Sequence, residues 1–389
     1  MQPITSEGEL TAVLADAASA KSYAIDTEFH RERTYHPRLG LVQVAWKDQL
    51  ALIDPLAVSI APLKDLLASK ALAVLHAAEQ DLEVFKHECH TLPKAIFDTQ
   101  VAAGFIGYSS PSLATIHERL LGVKLAKQAR LWDWFQRPLP QNMLEYAAAD
   151  VARLLEIKNI LCEDLRVRGR LSWAQEECAL LLERANKARD AKNAWRKIKE
   201  VSRMEGQPQA VAKALACWRE EHASKVNQPV RHVLSDLGVA VIAQRMPSSL
   251  KQLRNLRGVE PRNLRHGADE ELLEVLDDLR NSDLPTAPPV KPLKLPVELK
   301  PAVSLISSWV AQHAVELELN PALLASRNDI EDLIAGNPDC KAAKGWRAEI
   351  LATPVQQLLG GAVAVALDPD GKLALEERSG RPIALMASN

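Results

Sequence analysis

A mixed-sheet α/β domain followed by two all-α blocks is the architecture the sequence predicts, and three observations predict it. Strand and helix patterns alternate up to about residue 168, the periodicity beyond it is helical only, and a proline-rich stretch divides the helical part in two. At 389 residues the chain is also too long for one ordinary core.

Residues 22–25 form a short apolar strand ending at Asp26, and residues 41–45 and 50–53 flank the turn Lys47-Asp48-Gln49 as a hairpin. Residues 71–75 read as a further buried strand. Helical patterns occupy 60–68, 78–87, 113–120 and 141–167. Helices packed on a sheet of this kind make a layered α/β domain over residues 1–168.

From 173 to 279 the pattern is helical, with breaks at Gly206-Gln207-Pro208, Asn227-Gln228-Pro229 and Met246-Pro247. Residues 169–206 are a basic connector and 207–282 a first helical domain. Pro285, Pro288, Pro289, Pro292, Pro296 and Pro301, with no aromatic residue among them, make 283–301 a semi-rigid spacer. A second helical domain spans 302–370, its helical pattern running to about Leu367, and residues 371–389 form a tail too poor in periodicity to assign. The two helical blocks read as diverged copies. Each carries a Trp-bearing helix (Trp218, Trp309), then a Pro-containing turn (Pro229, Pro321), then another short helix, and an Arg-rich or Trp-Arg segment follows (Arg254 to Arg257; Trp346-Arg347).

Apolar content of 47% and charged content of 25% describe a globular chain. The first ten residues lack a positive region followed by an apolar core, and no run reaches the roughly 18–20 apolar residues that span a bilayer, so a cytoplasmic protein with no membrane partner is expected. Cys89, Cys162, Cys178, Cys217 and Cys340 are odd in number and widely spaced, which suits reduced core thiols rather than disulfides or a zinc site. The net charge of −2 hides an asymmetry: residues 184–266 hold 18 Lys and Arg against 7 Asp and Glu, a surplus of 11, which leaves −13 for the rest. A basic segment beside an acidic one suits a protein that grips a polyanion with one part and collects cations with another. Arg184, Lys187, Lys192, Arg196, Lys199 and Arg203 recur at roughly helical spacing and are candidates for tracking a phosphate backbone.

The acidic chemistry starts at Asp26-Thr27-Glu28-Phe29. Side chains alternate along a strand, so Asp26 and Glu28 share one side with Cα atoms about 6.5 Å apart, close enough to share a metal. Other D-x-E pairs occur at Asp81 to Glu83, Asp269 to Glu271 and Asp329 to Glu331, but only the first follows an apolar strand directly. Asp81 follows the strand ending near His76 and falls in the first turns of the next helix, where a carboxylate is favoured by the helix dipole. Tyr146 and Asp150 lie four apart on a helix, on one face, with three alanines between that let another element approach. Four carboxylates and a phenol with no Cys partner suit Mg²⁺ or Mn²⁺ rather than zinc. Two such ions about 4 Å apart activate water and neutralise a leaving oxygen, which makes phosphoryl transfer to water the expected reaction. Thr27, Phe29, Gln43 and His76, adjacent to these residues in sequence or alternation, are the candidate substrate contacts, Phe29 by stacking on a terminal base.

These residues, together with Leu41-Val42-Gln43-Val44-Ala45, His76-Ala77-Ala78, Phe97-Asp98-Thr99-Gln100, Asp133-Trp134 and Arg137-Pro138-Leu139, make the sequence similar to the DEDD exonuclease superfamily, in the branch with tyrosine in its third motif. The helical blocks resemble HRDC domains, and the whole order resembles the ribonuclease D family. The resemblance implies a ribonuclease H-like catalytic fold, two HRDC-like domains and 3′ to 5′ exoribonuclease activity. It further implies that Asp26, Glu28 and Asp150 bind the nucleophile-activating metal, that Asp26 bridges to a second metal which Asp81 holds through water, and that Tyr146 orients or deprotonates the attacking water. RNA, in particular tRNA precursors with 3′ trailers, is the implied partner, and no obligatory protein partner is expected. Two alternatives stand beside it: a DNA 3′–5′ exonuclease, and an inert exonuclease fold that serves as a nucleic-acid-binding protein. Trp132 departs from the resemblance, since a small polar residue is expected there.

Overall fold

A computed structural model describes residues 1–125, 132–187, 190–264, 267–282 and 295–379. Residues 127–131, most of the expected spacer and the end of the tail lie outside the described residues.

The first domain is built on a five-stranded mixed sheet in the order β3-β2-β1-β4-β5. Its strands are β1 (Ser22–His30), β2 (Arg38–Trp46), β3 (Gln49–Ile53), β4 (Leu72–Leu75) and β5 (Ile96–Asp98). The expected hairpin is β2 and β3, and β1 pairs antiparallel with β2 but parallel with β4, as β4 does with β5. Strand β1 does not stop at Asp26 but runs on to His30, because β2 pairs with it along its length, so both carboxylates sit inside the ladder. The three-residue β5 has no periodicity of its own to announce it.

Alternation along β1 assigns the two faces. Tyr23 and Ile25 join the core beneath α1 (Glu7–Ser19), α2 (Leu63–Leu67) and α3 (Glu79–Glu88). On the other face Ala24 and the carboxylates Asp26 and Glu28 meet the remaining helices. These are α4 (Thr99–Gly104), α5 (Leu113–Leu121), α6 (Gln141–Ala152) and α7 (Leu154–Val167), and α8 (Leu171–Asn186) follows them. Two expectations are corrected here. The helix over 60–68 shrinks to Leu63–Leu67, with Pro62 at its N-cap, and the single helix over 141–167 is two, parted at Arg153, whose φ −117° and ψ 10° are not helical.

Residues 198–276 close a separate helical core, into which Tyr35 of the β1–β2 loop inserts. Its long helix Gly206–Lys225 starts at the Gly206 break, and the breaks at 227–229 and 246–247 separate successive helices. The second block repeats that order. Lys300–Glu316 is followed by Pro321–Leu324 and Arg327–Ile334, as Gly206–Lys225 is by Val230–Val233 and Asp236–Arg245. Both long helices set their Trp against the His four residues later, Trp218 tilted on His222 and Trp309 stacked on His313, with ring centroids 5.2 Å apart in each. Ser235 and Ser326 each cap the third helix.

This block is not all helical, which corrects the all-α expectation. It ends in an antiparallel hairpin, β6 (Val363–Leu367) and β7 (Leu373–Glu377). The turn Asp368-Pro369-Asp370-Gly371 supplies the reason: Asp368 Oδ1 accepts from the amides of Asp370 and Lys372, and Gly371 takes φ +77°. The block packs against the first domain: Trp309, Leu324, Trp346 and Leu351 share one core with Val74, Phe97, Phe105 and Leu161.

Candidate active site

Asp26, Glu28 and Asp150 bring one carboxylate oxygen each to within 4.8 Å of one another. Strand alternation sets the first two on one face, and α6 crosses that face and lowers Asp150 onto them. Tyr146, one turn earlier on α6, donates its hydroxyl to Asp150. Asp81 arrives from α3 on the opposite face, in the helix's first turn, and the Thr27 hydroxyl, pointing to that face, donates to its Oδ1. Thr27 thus acts within the protein on Asp81 and is buried.

The other expected contacts divide. Phe29, next to Glu28 in the chain, is half-buried and packs against the core that Tyr23 and Ile25 join. His76 turns inward: its Nδ1 lies 2.9 Å from the Thr99 hydroxyl, which donates to Leu75 O, and its Nε2 is enclosed without a partner. Gln43 is fully enclosed beneath α6, with no surface left for a substrate atom. Trp132 rests edge-on against both Tyr146 and Trp134, with centroids 5.3 and 5.8 Å away.

Sequence reasoning missed the anchor of the loop before α6. Arg137 grips Asp54 at the end of β3 with Nε and Nη2, at 2.5 and 2.6 Å, and also donates to Gly40 O at 2.8 Å. Gly40 sits where the β1–β2 register shifts, and a Cβ there would lie 2.8 Å from Trp134 Cβ. A lone buried Asp after an apolar strand was the available signal, but its partner is 83 positions away.

Electrostatically the cluster calls for a cation. Burial, then the charge of Asp150, raises Asp26 to about 8. Burial, then the charges of Asp26, Asp150 and Asp81, raises Glu28 to about 10. Burial pushes Asp150 up to about 7 against the opposing hydrogen bond from Tyr146. Burial and then Asp26 lift Asp81 well above its ordinary value, while Thr27 pulls it back. An all-oxygen donor set with mutual repulsion fits a hard divalent cation. Without one, the folded chain holds protons that the unfolded chain releases. That contribution to stability is complete below about pH 4, the unfolded carboxylate range, and is lost as the pH rises through the folded values. The melting temperature of the metal-free protein is expected to fall progressively from about pH 4 upward, the shares of Asp150 and Asp26 being spent by about pH 7 and 8. Adding Mn²⁺ at pH 8 is expected to restore it, and Asp26→Asn to flatten the slope. A wild-type profile indistinguishable from the Asp26→Asn one would refute this electrostatic account.

Residues 1–166 match the family described as 3′-5′ exonuclease, and residues 208–276 match the HRDC domain. Ribonuclease D of Acidiphilium cryptum is 34% identical over 370 residues, which is 92% of this chain and 93% of that protein. Ribonuclease D of Jannaschia sp. is 36% identical over 374 residues, 93% of this chain and 96% of that protein. The crystal structure of Escherichia coli RNase D, an exoribonuclease involved in structured RNA processing, matches with a TM-score of 0.83 at 32% identity, over 92% of this chain and 98% of that one. With this carboxylate cluster on a matching fold and relatives of this kind spanning nearly its whole length, the chain belongs to the ribonuclease D family of 3′–5′ exoribonucleases.

Proposed function

We propose that this exoribonuclease works with two divalent cations, Mg²⁺ or Mn²⁺, releases nucleoside 5′-monophosphates one at a time, and trims tRNA precursors that carry 3′ trailers. The observation that carries the two-ion reading is the convergence of Asp26, Glu28 and Asp150 within 4.8 Å, with Asp81 brought to their edge by Thr27. When bound, the cations supply positive charge that acidifies the attacking water and neutralises the leaving oxygen. Asp26, Glu28, Asp150 and Asp81 hold them. Burial and the neighbouring carboxylates raise the Tyr146 phenol far above its ordinary value and favour its neutral form, so Tyr146 orients the water rather than taking its proton. Phe29, half-buried and next to Glu28 in the chain, offers its exposed part to the terminal base.

The first helical block supports an extended RNA partner. A cavity of about 310 Å³ lies between it and the β1–β2 loop, lined by Arg31, Lys197, Arg219 and Arg231 together with Glu220 and Asp236. The three arginines are ion-paired, Arg31 with Glu83 and both Arg219 and Arg231 with Asp236. The second block, with its repeated Trp and His contact, is read as a second, diverged HRDC-like domain that narrows the approach to the site for folded RNA. No helix among the described residues is long and apolar enough to cross a membrane. To test the reading, 5′-labelled single-stranded RNA and DNA of equal sequence are digested in parallel in Mg²⁺. The RNA is expected to shorten from its 3′ end with nucleoside 5′-monophosphates as products. Clear preference for DNA would sink the RNA assignment, and products longer than mononucleotides the stepwise one.

A further inference from the structure

Gln43 is the most enclosed polar side chain near the site, with no exposed surface, and both its Nε2 and Oε1 lack a hydrogen-bond partner. A buried amide left this way is costly, and such groups call for an explanation in terms of function or of a species bound nearby. Its position narrows the explanation. Gln43 is the register partner of Asp26 across the antiparallel β1–β2 pair and of Leu52 across β2–β3. Side chains directly opposite in such a pair lie on one face with Cβ atoms about 4.5–5.5 Å apart. Along its own strand, the flanking residues on that face are Leu41 and Ala45. Among these four sheet neighbours three are apolar, and the fourth is the carboxylate at the centre of the cluster.

We infer that Gln43 is a positioning residue for Asp26: from its place directly opposite on the same face of the sheet, its amide N–H groups orient the Asp26 carboxylate when that carboxylate holds a cation. Asp26 is the one sheet neighbour with side-chain oxygens that an amide N–H can donate to, and a carboxylate held by a cation is a fixed acceptor for it. Partners that orient a metal-binding side chain in this way characteristically change metal affinity about 10- to 100-fold when removed.

This rests on the two-cation reading above, and the experiment separates the two. Gln43→Met keeps the length of the side chain and removes its polar atoms, and Gln43→Leu serves as a second apolar replacement should the first fail to fold, as judged by circular dichroism. Mn²⁺ affinity is measured by calorimetry on the folded full chain, alongside melting temperature without metal. The variant is expected to melt no lower than wild type without metal, because an unsatisfied amide has gone, yet to bind Mn²⁺ about 10-fold more weakly or worse. At saturating Mn²⁺ its KM for RNA stays at the wild-type value. Mn²⁺ affinity equal to wild type in a folded variant overturns the role assigned to Gln43, whatever the melting temperature. Failure of the wild-type chain itself to bind Mn²⁺ overturns the two-cation reading.

Discussion

Asp26→Ala is expected to lower turnover in saturating Mg²⁺ by about a thousandfold or more while leaving the chain folded. Cation charge at a phosphoryl centre contributes several kcal/mol, and each 1.36 kcal/mol is tenfold in rate, so losing about 4 kcal/mol gives that figure. Asp26 is the choice for the largest effect because of its central place. It belongs to the three-carboxylate cluster, and it is the first of the neighbouring charges acting on both Glu28 and Asp81. On the proposed two-cation reading, removing it withdraws a ligand from one cation and loosens the geometry of the other. Folding is spared because the substitution also removes a repelling charge from a crowded buried site. Tyr146→Phe keeps the ring packed against Trp132, loses only the hydroxyl, and is expected to cost less in rate and nothing in Mn²⁺ affinity. Single-turnover cleavage of a labelled RNA measures both. Near wild-type turnover by Asp26→Ala would mean that the site is misassigned.

The part of this site that could be read from the sequence is the part written in short periods. Asp26 and Glu28 two apart on a strand, and Tyr146 and Asp150 four apart on a helix, need only local geometry to share a face, and the structure brings Asp150 onto Asp26 and Glu28. What needed the assembled sheet was not legible. Thr27 points away from Asp26, and only the placement of α3 on the far face explains why its hydroxyl meets Asp81. Arg137 stood in a recognisable motif, yet its partner Asp54 ends a different strand. The Pro369-Asp370-Gly371 turn was a local signal of the β6–β7 hairpin that low apolar periodicity obscured. The packing of the second block was not legible for another reason: a proline-rich stretch reports on the backbone of a connection and says nothing about where the block beyond it packs.

That packing has one buried ionic contact at its centre, and Arg347→Ala is expected to destabilise the protein by about 3–5 kcal/mol. The Arg347 side chain is 1% exposed and the Glu177 side chain on α8 is 6% exposed, and the Arg347 Nη1 donates to Glu177 Oε1. Arg347 Nε also donates to Leu323 O at 2.7 Å, and its guanidinium lies 4.2 Å over the Trp346 ring. Burial alone would raise the Glu177 carboxyl, but Arg347, then Lys341 and the Trp346 N–H, holds it below its ordinary value. Around this pair Trp346 stacks on Trp173 and meets Phe105 edge-on, with centroids 5.0 and 5.1 Å away, and Leu323 fills the space a side chain at Gly104 would take. Truncating Arg347 therefore leaves a carboxylate ionised in an apolar seam, which costs far more than the pair contributes. The expectation is checked by urea denaturation of the full chain, and a companion variant separates charge from packing. Glu177→Leu combined with Arg347→Met replaces both partners with apolar groups of similar size and is expected to recover most of the lost stability. The single variant is also expected to loosen the second block from the exonuclease domain, raising amide exchange in α4, α8 and the 300–316 helix together. If Arg347→Ala melted like wild type and left exchange in those helices unchanged, the seam would not be what joins the block to the catalytic domain.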